Sequence, residues 1–326
     1  MSTRTIKVLA TGGTIAGIAG SALQHDYRPG QIGIGDYLAQ VAQVGIDARL
    51  DGRQIASIGS EDMSPAIWTR LHAEIAAALD DHGCGGAIVT HGTDTLEETA
   101  FLLDLTLPST KPVVLVGAMR PADAVGYDGL RNFANAVRVA SDPAAAGRGV
   151  LAVMGDRVFA ARDVRKVRTR GADAFRGFPR DAVGMVTPSA LDWFGAPWRP
   201  GAPARFTLPA EFPEVPICYV FAGMSADVAA RLIVPATRGL VLAGVGEGNM
   251  PEALRRKLAG LRADGLVVVR ASRVDEGLVD REPEDEANGF VAARALNPQK
   301  ARILLQLLLA EGIEDPAAIQ TAFDRL

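Results

Sequence analysis

The sequence predicts an α/β protein with two unequal α/β domains, the larger N-terminal one built on a mostly parallel sheet flanked by helices. Two observations lead to this fold class. Short apolar runs rich in β-branched residues alternate with longer amphipathic segments. The short runs are apolar on both faces, as in strands covered by helices on either side. With 326 residues, 48% of them hydrophobic, the chain is long enough to bury a large core.

Seven of these runs are predicted to be buried strands, because each is short and ends at a turn signal. Residues just after each run are candidates for function, since ligands of open α/β sheets bind beyond the carboxyl ends of the strands. The runs are IKVLATGG (6–13), GGAIVTHG (85–92), PVVLVGAM (112–119), GVLAVMGD (149–156), EVPICYVFAG (214–223), GLVLAGVGEG (239–248) and GLVVVRASR (265–273).

Four amphipathic segments between or after these runs are predicted to be helices. Ser and Asn are preferred N-cap residues, and Pro is favoured at the first helical position. Both signals occur at Ser64-Pro65 and again at Asn297-Pro298. The predicted helices are 65–81, 130–140, 250–263 and the segment that follows Asn297, where Ile303, Leu304, Leu307 and Leu308 share one face.

A proline-rich stretch divides the chain. Residues 196–213, APWRPGAPARFTLPAEFP, hold five prolines and show little periodicity, which is typical of a linker. The prediction is therefore an N-terminal α/β domain over 1–196, a linker over 197–213 and a C-terminal α/β domain over 214–326.

Charge and hydropathy exclude several kinds of partner. A net charge of −4 and a pI near 5.7 argue against nucleic acid and against an anionic membrane surface. The N-terminal residues lack the apolar core of a signal peptide, and no uninterrupted apolar run is long enough to span a bilayer. We therefore expect a soluble cytoplasmic protein, or a periplasmic one if a leader has been removed. Cys84 and Cys218, both in apolar surroundings, are expected to be buried free thiols.

The loop after the first run, TGGTIAG (11–17), has the small residues of a phosphate loop but lacks its key side chains. The G-x-G-x-x-G spacing is absent. Gly12 and Gly17 fit the glycines of a Walker A loop, but Ile18 occupies the position of the lysine. Without that lysine the β- and γ-phosphates would have no counter-charge, so a nucleotide site is excluded.

Hydroxyl groups are the functional groups left at this rim. Thr11 and Thr14 follow the first run, and Thr93 and Asp94 follow the second, in THGTDTLEETA (90–100). A threonine hydroxyl is a weak nucleophile at neutral pH and needs a nearby base or proton relay. Two threonine-bearing loops at one rim therefore indicate hydroxyl chemistry more strongly than either loop alone.

The histidines indicate neither a Ser–His–Asp triad nor a zinc site. The sequence has no G-x-S-x-G or H-E-x-x-H motif and no cluster of Cys and His. His72 lies inside the helix predicted over 65–81 and His82 just beyond it, so both are expected to be structural. His91 follows a strand and is expected to orient its loop by hydrogen bonding.

Five segments together resemble the bacterial-type L-asparaginases and the similar glutaminase-asparaginases. The resemblance covers essentially the whole chain, in order and at family-like spacing. It implies hydrolysis of a side-chain amide through an acyl-enzyme on threonine, with no metal and no cofactor. The segments are TGGTIAG (11–17), HGTDTLEETA (91–100), KPVVLVGAMRP (111–121), GRGVLAVMGD (147–156) and LNPQKARILLQL (296–307).

The resemblance implies two threonine-centred triads. Thr14 matches the primary nucleophile of the family and Tyr27 the tyrosine that assists it. Glu282 matches the carboxylate that completes this triad, which in the family comes from a neighbouring subunit. The second triad is matched by Thr93, Asp94 and Lys166.

Contacts with an amino-acid amide substrate are also implied by the resemblance. Ser60 and Asp94 match positions that hold the α-carboxylate and α-amino groups, with Glu61 and Asp94 facing the ammonium. Asn249 matches a position that approaches the site from the partner subunit, and the implied assembly is a homotetramer built from intimate dimers. Backbone contacts are implied for Gly13, Gly92 and Ala118.

One departure bears on specificity, and two alternatives stay open. Many asparaginases have glutamine where this chain has Glu61, so we predict glutaminase activity beside asparaginase activity.

The segment 14–33 resembles the mobile lid of the family, and Tyr27 is expected to become ordered with substrate. The alternatives are an enzyme with glutamine as a main substrate and a non-catalytic regulator that binds an amino acid.

Overall fold

The computed structural model describes residues 4–21, 27–43, 45–46 and 48–326. The chain forms two compact units, one ending at Phe206 and the other spanning Thr207–Leu326. The division between them falls inside the predicted linker, 197–213.

The first unit alternates strands and helices over most of its length. Short 3₁₀ turns at Thr14–Ala16, Ser60–Asp62 and Pro143–Ala145 follow β1, β2 and α4, whose bounds are given next. In chain order the elements are β1 (Thr5–Gly12), α1 (Ile34–Gln43), β2 (Leu50–Ile58), α2 (Pro65–Asp80), β3 (Cys84–Thr90), α3 (Leu96–Thr106), β4 (Val113–Val116), α4 (Gly129–Ser141), β5 (Val150–Met154), β6 (Arg157–Ala160), β7 (Val164–Lys166), β8 (Phe175–Gly177), β9 (Gly184–Val186) and β10 (Leu191–Trp193).

Within the described residues this unit has a sheet of eight strands, in the order β10-β9-β6-β5-β4-β3-β1-β2, and a separate antiparallel pair, β7-β8. The strands from β2 to β5 are parallel, and β6, β9 and β10 extend the sheet in antiparallel pairs. In register, Val8 of β1 lies opposite Gly52 of β2 and Ile88 of β3. The chain passes from β1 outward to β2 and then returns to β3 on the other side. This reversal between β1 and β3 is a topological switch point, where α/β sheets bind ligands.

Successive residues of the central strands face opposite layers of helices. Val8 and Ile88 pack in one cluster with Tyr37 of α1 and Phe133 of α4, whose rings meet edge to face at 5.3 Å. Their neighbours Leu9 and Val89 pack in a second cluster with residues of α2 and α3. This alternation explains why the strands are apolar on both faces. Each fully buried aliphatic side chain contributes roughly 1.5–3 kcal/mol to folding.

The second unit is a smaller α/β arrangement. Among its described residues, four parallel strands form a sheet in the order β11-β12-β13-β14. Leu240, Leu242 and Val268 of this sheet pack against Leu254 and Leu258. Its elements are β11 (Ile217–Tyr219), α5 (Ala226–Ala230), β12 (Gly239–Gly244), α6 (Glu252–Ala263), β13 (Val267–Ser272), α7 (Pro283–Asn288), β14 (Val291–Ala292), α8 (Pro298–Ala310) and α9 (Pro316–Asp324).

The predicted fold class is confirmed, and the structure adds elements that the sequence analysis did not identify. All seven predicted strands and all four predicted helices are present, most of them shortened by a few residues. The additional elements are β2, β6–β10, β14, α1, α3, α5, α7 and α9. Cys84 and Cys218 are buried free thiols, as expected. None of the described helices combines the length and the apolar character required to cross a membrane.

Candidate active site

The carboxyl ends of four neighbouring parallel strands carry most of the predicted site residues. The strands β2, β1, β3 and β4 are adjacent in the sheet, so the residues that follow them lie along one rim on both sides of the switch point. The residues are Ser60 and Glu61 after β2, Gly13 and Thr14 after β1, Gly92, Thr93 and Asp94 after β3, and Ala118 after β4.

Thr14 opens the 3₁₀ turn after β1 and is 6% exposed. Its Oγ1 lies 2.6 Å from the hydroxyl oxygen of Tyr27. The Tyr27 ring lies against Gly17, where an added Cβ would be 2.8 Å from the ring carbon Cδ2. The sequence-predicted pairing of Thr14 with Tyr27 is therefore present as a contact. Of the predicted lid 14–33, residues 22–26 lie outside the described residues.

Glycines bring the three loops into close backbone contact. Gly13 has a φ of +79°, and a Cβ on it would lie 2.4 Å from the Cα of Gly92. A Cβ on Gly92 would in turn lie 2.8 Å from Ser60 Oγ. The Gly13 amide donates to the carbonyl of Ile58 at 2.8 Å, and its carbonyl accepts from the amides of Ala16 and Gly30, both at 3.2 Å. Gly13 therefore brings the two threonine loops together while its own hydrogen-bonding groups are already engaged.

Lys166 connects the second threonine to a carboxylate. Its Nζ donates to Thr93 Oγ1 at 2.8 Å and forms an ion pair with Asp94 Oδ1. The Lys166 side chain is 16% exposed, Thr93 is buried, and the Asp94 side chain is 62% exposed. The three residues predicted to form the second triad thus form one hydrogen-bonded group, with its carboxylate facing solvent.

Glu97 is a site residue that the sequence analysis did not identify. It lies in the first turn of α3, is 6% exposed, and its Oε2 accepts from the Lys166 main-chain amide at 2.9 Å. This bond fixes the main chain of β7 at Lys166, whose side chain extends to Thr93. The available signal was the acidic pair Glu97-Glu98, which begins three residues after Asp94 in THGTDTLEETA.

His91 orients its own loop, as expected. Its Nδ1 lies 2.7 Å from the carbonyl oxygen of Gly92, and within the described residues its Nε2 has no hydrogen-bond partner. Complete burial lowers the pKa of His91 from 6.5 to about 4. The imidazole is therefore neutral at ordinary pH, with the Nδ1 proton directed at Gly92.

Ser60 joins the β2 loop to the β3 loop. Its Oγ accepts from the amides of Asp94, at 3.1 Å, and Thr95, at 3.4 Å. The Thr95 hydroxyl donates back to the Ser60 carbonyl at 2.7 Å. Since Ser60 Oγ accepts twice, its own proton remains for donation to another acceptor.

Glu61 and Ala118 lie on opposite sides of this group. Glu61 is exposed, and its carboxylate folds over Gly59, where an added Cβ would lie 2.3 Å from Oε1. Ala118 is 1% exposed and follows Gly117, where a Cβ would lie 2.9 Å from Thr93 Cγ2. In the described residues we find no group of three or more His, Cys, Asp or Glu side chains that could hold a metal.

Glu282 and Asn249 lie in the second unit. Glu282 precedes α7 as its N-cap residue, and its side chain is 34% exposed. Asn249 is exposed and closes a tight turn, with Val245 and Asn249 exchanging main-chain hydrogen bonds of 2.9 and 2.7 Å. The geometry of these two residues is therefore given within the second unit alone.

Two family models match the chain across nearly its whole length. The model described as "Asparaginase, N-terminal" covers residues 5–199, and "Glutaminase/Asparaginase C-terminal domain" covers residues 214–323. The chain belongs to the asparaginase family. The asparaginase resemblance inferred from the sequence motifs is thereby confirmed.

Individual asparaginase relatives match over almost complete lengths. The protein named L-asparaginase 2 of Escherichia coli (strain K12) is 42% identical, over 98% of this chain and 92% of the relative. The glutaminase-asparaginase of Pseudomonas fluorescens biotype A is 35% identical, over 98% and 89%. The crystal structure of a probable cytoplasmic L-asparaginase from Campylobacter jejuni is 38% identical, with a TM-score of 0.93 over 98% of this chain and 99% of that one. The fold is therefore that of an asparaginase.

Proposed function

We propose that this chain hydrolyses the side-chain amide of L-asparagine to L-aspartate and ammonia. One observation carries the proposal. Two buried threonine hydroxyls lie at the carboxyl ends of β1 and β3, and each has a hydrogen-bonding partner suited to move a proton, Tyr27 at 2.6 Å and Lys166 at 2.8 Å. The names of the relatives supply the substrate class, because they include L-asparaginases and a glutaminase-asparaginase.

In the first half of the proposed reaction Thr14 is the nucleophile. Its Oγ bonds to the amide carbon while the hydroxyl proton passes through Tyr27 and ends on the departing nitrogen. The C–N bond breaks, ammonia leaves, and an ester remains on Thr14. Backbone amides of the glycine-rich turns stabilise the oxyanion, and one such donor contributes on the order of 3–4 kcal/mol. Because the Gly13 amide already bonds Ile58, this donor has to be another amide of the turns.

In the second half a water attacks the ester. Lys166, held by Asp94, donates to Thr93 Oγ1, and this group relays the proton of the water back to Thr14 as the ester bond breaks. Proton transfer of this kind is worth about 10²–10⁴-fold in rate. Aspartate is released and the Thr14 hydroxyl is restored, so no other reactant is consumed.

The ends of the substrate are held by complementary charge and hydrogen bonding. The exposed Asp94 carboxylate, with Glu61 beside the same rim, faces the α-ammonium group. The Ser60 hydroxyl, which already accepts from two amides, donates to the α-carboxylate. Gly92 and Ala118 let the substrate approach the backbone closely.

The site is completed by a neighbouring copy of the chain. Glu282 serves as the carboxylate of the Thr14 triad, and Asn249 contacts the substrate from the same copy. The active assembly is a homotetramer built from dimers that share sites. Light scattering of the purified chain tests the tetramer, and a monomer that retains full activity would contradict it.

Glutamine is proposed as a second substrate, because Glu61 occupies the position where many asparaginases have glutamine.

A location in the cytoplasm is supported by the similarity to the Campylobacter jejuni protein, which is named as probably cytoplasmic. Fractionation of the source cells tests this location.

Ammonia release from L-asparagine, L-glutamine and their D-isomers tests the proposed activity directly. We expect the highest kcat/KM with L-asparagine and a measurable value with L-glutamine. A chain that binds asparagine without releasing ammonia would support the alternative of an amino-acid-binding regulator. A kcat/KM for glutamine at the level of the background would refute the dual activity alone.

A further inference from the structure

Arg270 is a fully buried cation in the middle of an apolar strand. It lies in β13, where Val267, Val268, Val269 and Ala271 are all buried, and its side chain is 0% exposed. Burying a charge in such surroundings costs several kcal/mol unless it is paired and hydrogen-bonded. Each N–H donor of the guanidinium therefore needs an acceptor.

All three nitrogens of the Arg270 guanidinium have oxygen partners. Nε and Nη2 bind the two carboxylate oxygens of Asp285 at 3.0 and 2.6 Å, in the fork geometry typical of Arg–carboxylate pairs. Nη2 also donates to the carbonyl of Asp280 at 2.6 Å. Nη1 donates to the carbonyl of Glu247 at 2.6 Å and lies 3.4 Å from Glu282 Oε1. These five contacts match the five N–H groups of an arginine.

The first segment fixed by Arg270 is the turn that ends at Asn249. Glu247, the middle residue of this turn, gives its carbonyl to Nη1. Gly248 has a φ of +84°, and a Cβ there would lie 3.1 Å from both Cγ and Nη1 of Arg270. The turn is therefore packed directly on the buried guanidinium.

The second segment is the start of α7, which carries Glu282. Asp285, itself 3% exposed, binds Arg270 and also accepts from the Glu282 main-chain amide at 3.0 Å. The Glu282 carboxylate lies between two cations, with Arg270 Nη1 3.4 Å from one oxygen and Arg255 Nη2 3.7 Å from the other. Both distances exceed a strong hydrogen bond, so the carboxylate is oriented but keeps its capacity to accept.

We infer that Arg270 is a positioning residue that holds Glu282 and the Asn249 turn in one fixed arrangement. This inference rests on the proposed function, in which both residues act in the site of a neighbouring copy. The two segments are far apart in sequence, and Arg270 bonds both of them, through Glu247 in the turn and Asp285 in α7. A single rigid guanidinium aligns both, whereas lysine, with one nitrogen, cannot reproduce the fork.

The test is a double-mutant cycle with Arg270→Lys and Glu282→Ala in the full-length chain. We expect Arg270→Lys to lower kcat and kcat/KM together by about tenfold or more, since a misplaced group about 1 Å from its position can cost 10²-fold. In the Glu282→Ala background the same substitution is expected to lower kcat by a clearly smaller factor, because one of the two groups that Arg270 positions is already gone.

A matched control separates positioning from loss of stability. Arg199 is 6% exposed and, like Arg270, combines a buried aspartate partner, Asp104 at 3.3 Å, with carbonyl acceptors. Arg199→Lys is expected to lower Tm while kcat per folded molecule stays within about twofold of the unmodified chain. If Arg270→Lys does not fold, Asp285→Asn replaces it in the same cycle.

The outcomes are distinguishable. An Arg270→Lys variant with kcat within about twofold of the unmodified chain overturns the inference, as does an equal loss in both backgrounds. Glu282→Ala with unchanged activity overturns it too, by removing the proposed role of Glu282. Absence of ammonia release from the unmodified chain refutes the proposed function itself.

Discussion

Two glycines, Gly13 and Gly92, set how closely the two threonine loops approach each other. A methyl group at Gly13 would lie 2.4 Å from the Gly92 backbone, which cannot move aside without displacing Thr93. We expect Gly13→Ala to lower kcat/KM by more than about tenfold, because small displacements of reacting groups are costly. Ammonia release and Tm measure the effect.

Gly155→Ala is the matched control for Gly13→Ala. Gly155 has a similar backbone, with φ +62°, but an added Cβ meets no atom of the described chain within 4 Å. Its substitution carries only the cost of a left-handed residue, roughly 1–2 kcal/mol, and should leave kcat/KM unchanged. Equal losses in the two variants would show that the backbone conformation, and not the contact, matters.

His91 makes the stability of the chain depend on pH. Its pKa is about 4 in the folded chain and 6.5 when unperturbed, so between these values the unfolded chain binds a proton that the folded chain does not. Stability therefore falls as pH decreases through this window, by about 2 kcal/mol between about pH 7 and about pH 5.

The variant His91→Asn keeps a donor for the Gly92 carbonyl but has no imidazole to titrate. We expect its Tm to fall less than that of the unmodified chain between about pH 7 and about pH 5. His82→Asn, at an exposed histidine, is the control. If all three proteins lose the same Tm, the buried imidazole has no part in the pH dependence.

Among the helices, the N-caps of α8 and α2 differ in their hydrogen bonding. Asn297 accepts from the Lys300 amide at 3.1 Å at the start of α8, so Asn297→Ala is expected to cost about 1 kcal/mol. Ser64 occupies the N-cap of α2 without a side-chain capping bond to the described residues. Ser64→Ala is therefore expected to change stability by less than about 0.5 kcal/mol. Urea unfolding measures both, and equal costs would contradict the assignment.

The elements that could be predicted from sequence are those with a continuous apolar run or a clear cap. The strands β1, β3, β4, β5, β12 and β13 are such runs because helices cover both faces. The edge strand β2 was not predicted because, in LDGRQIASI, only Ile55 is fully buried. The strands β7 to β10 have three residues each, too few for periodicity to appear.

The site was predictable where it lies in compact motifs. Thr14 with Tyr27, and Thr93 with Asp94 and Lys166, were named from their segments, and the structure places each set in contact. Glu97 and Arg270 were not named, because their importance comes from partners distant in sequence: the Lys166 amide for Glu97, and the 245–249 turn for Arg270. In sequence Arg270 is only a polar interruption of the run GLVVVRASR.

At the scale of the whole molecule, shared sites predict that two inactive variants restore each other. If Glu282 acts in a neighbouring copy, hybrids of Thr14→Val and Glu282→Ala contain sites in which both residues are intact. Random mixing into dimers should restore about a quarter of the normal specific activity, since half of the dimers are hybrids and each has one intact site. Mixtures refolded together and assayed for ammonia release measure this. Hybrids that form but stay inactive would place Thr14 and Glu282 of one site in the same copy.

The central claim is that the Thr14 hydroxyl attacks the substrate amide. The initial rate of ammonia release from L-asparagine by Thr14→Val tests it most directly, with Thr69→Val as control at an exposed threonine whose hydroxyl donates to the Pro65 carbonyl at 2.9 Å. We predict that Thr14→Val keeps the fold and the oligomer but loses about a thousandfold or more in rate, while Thr69→Val is unaffected. Thr14→Val with the rate of the unmodified chain would contradict the account.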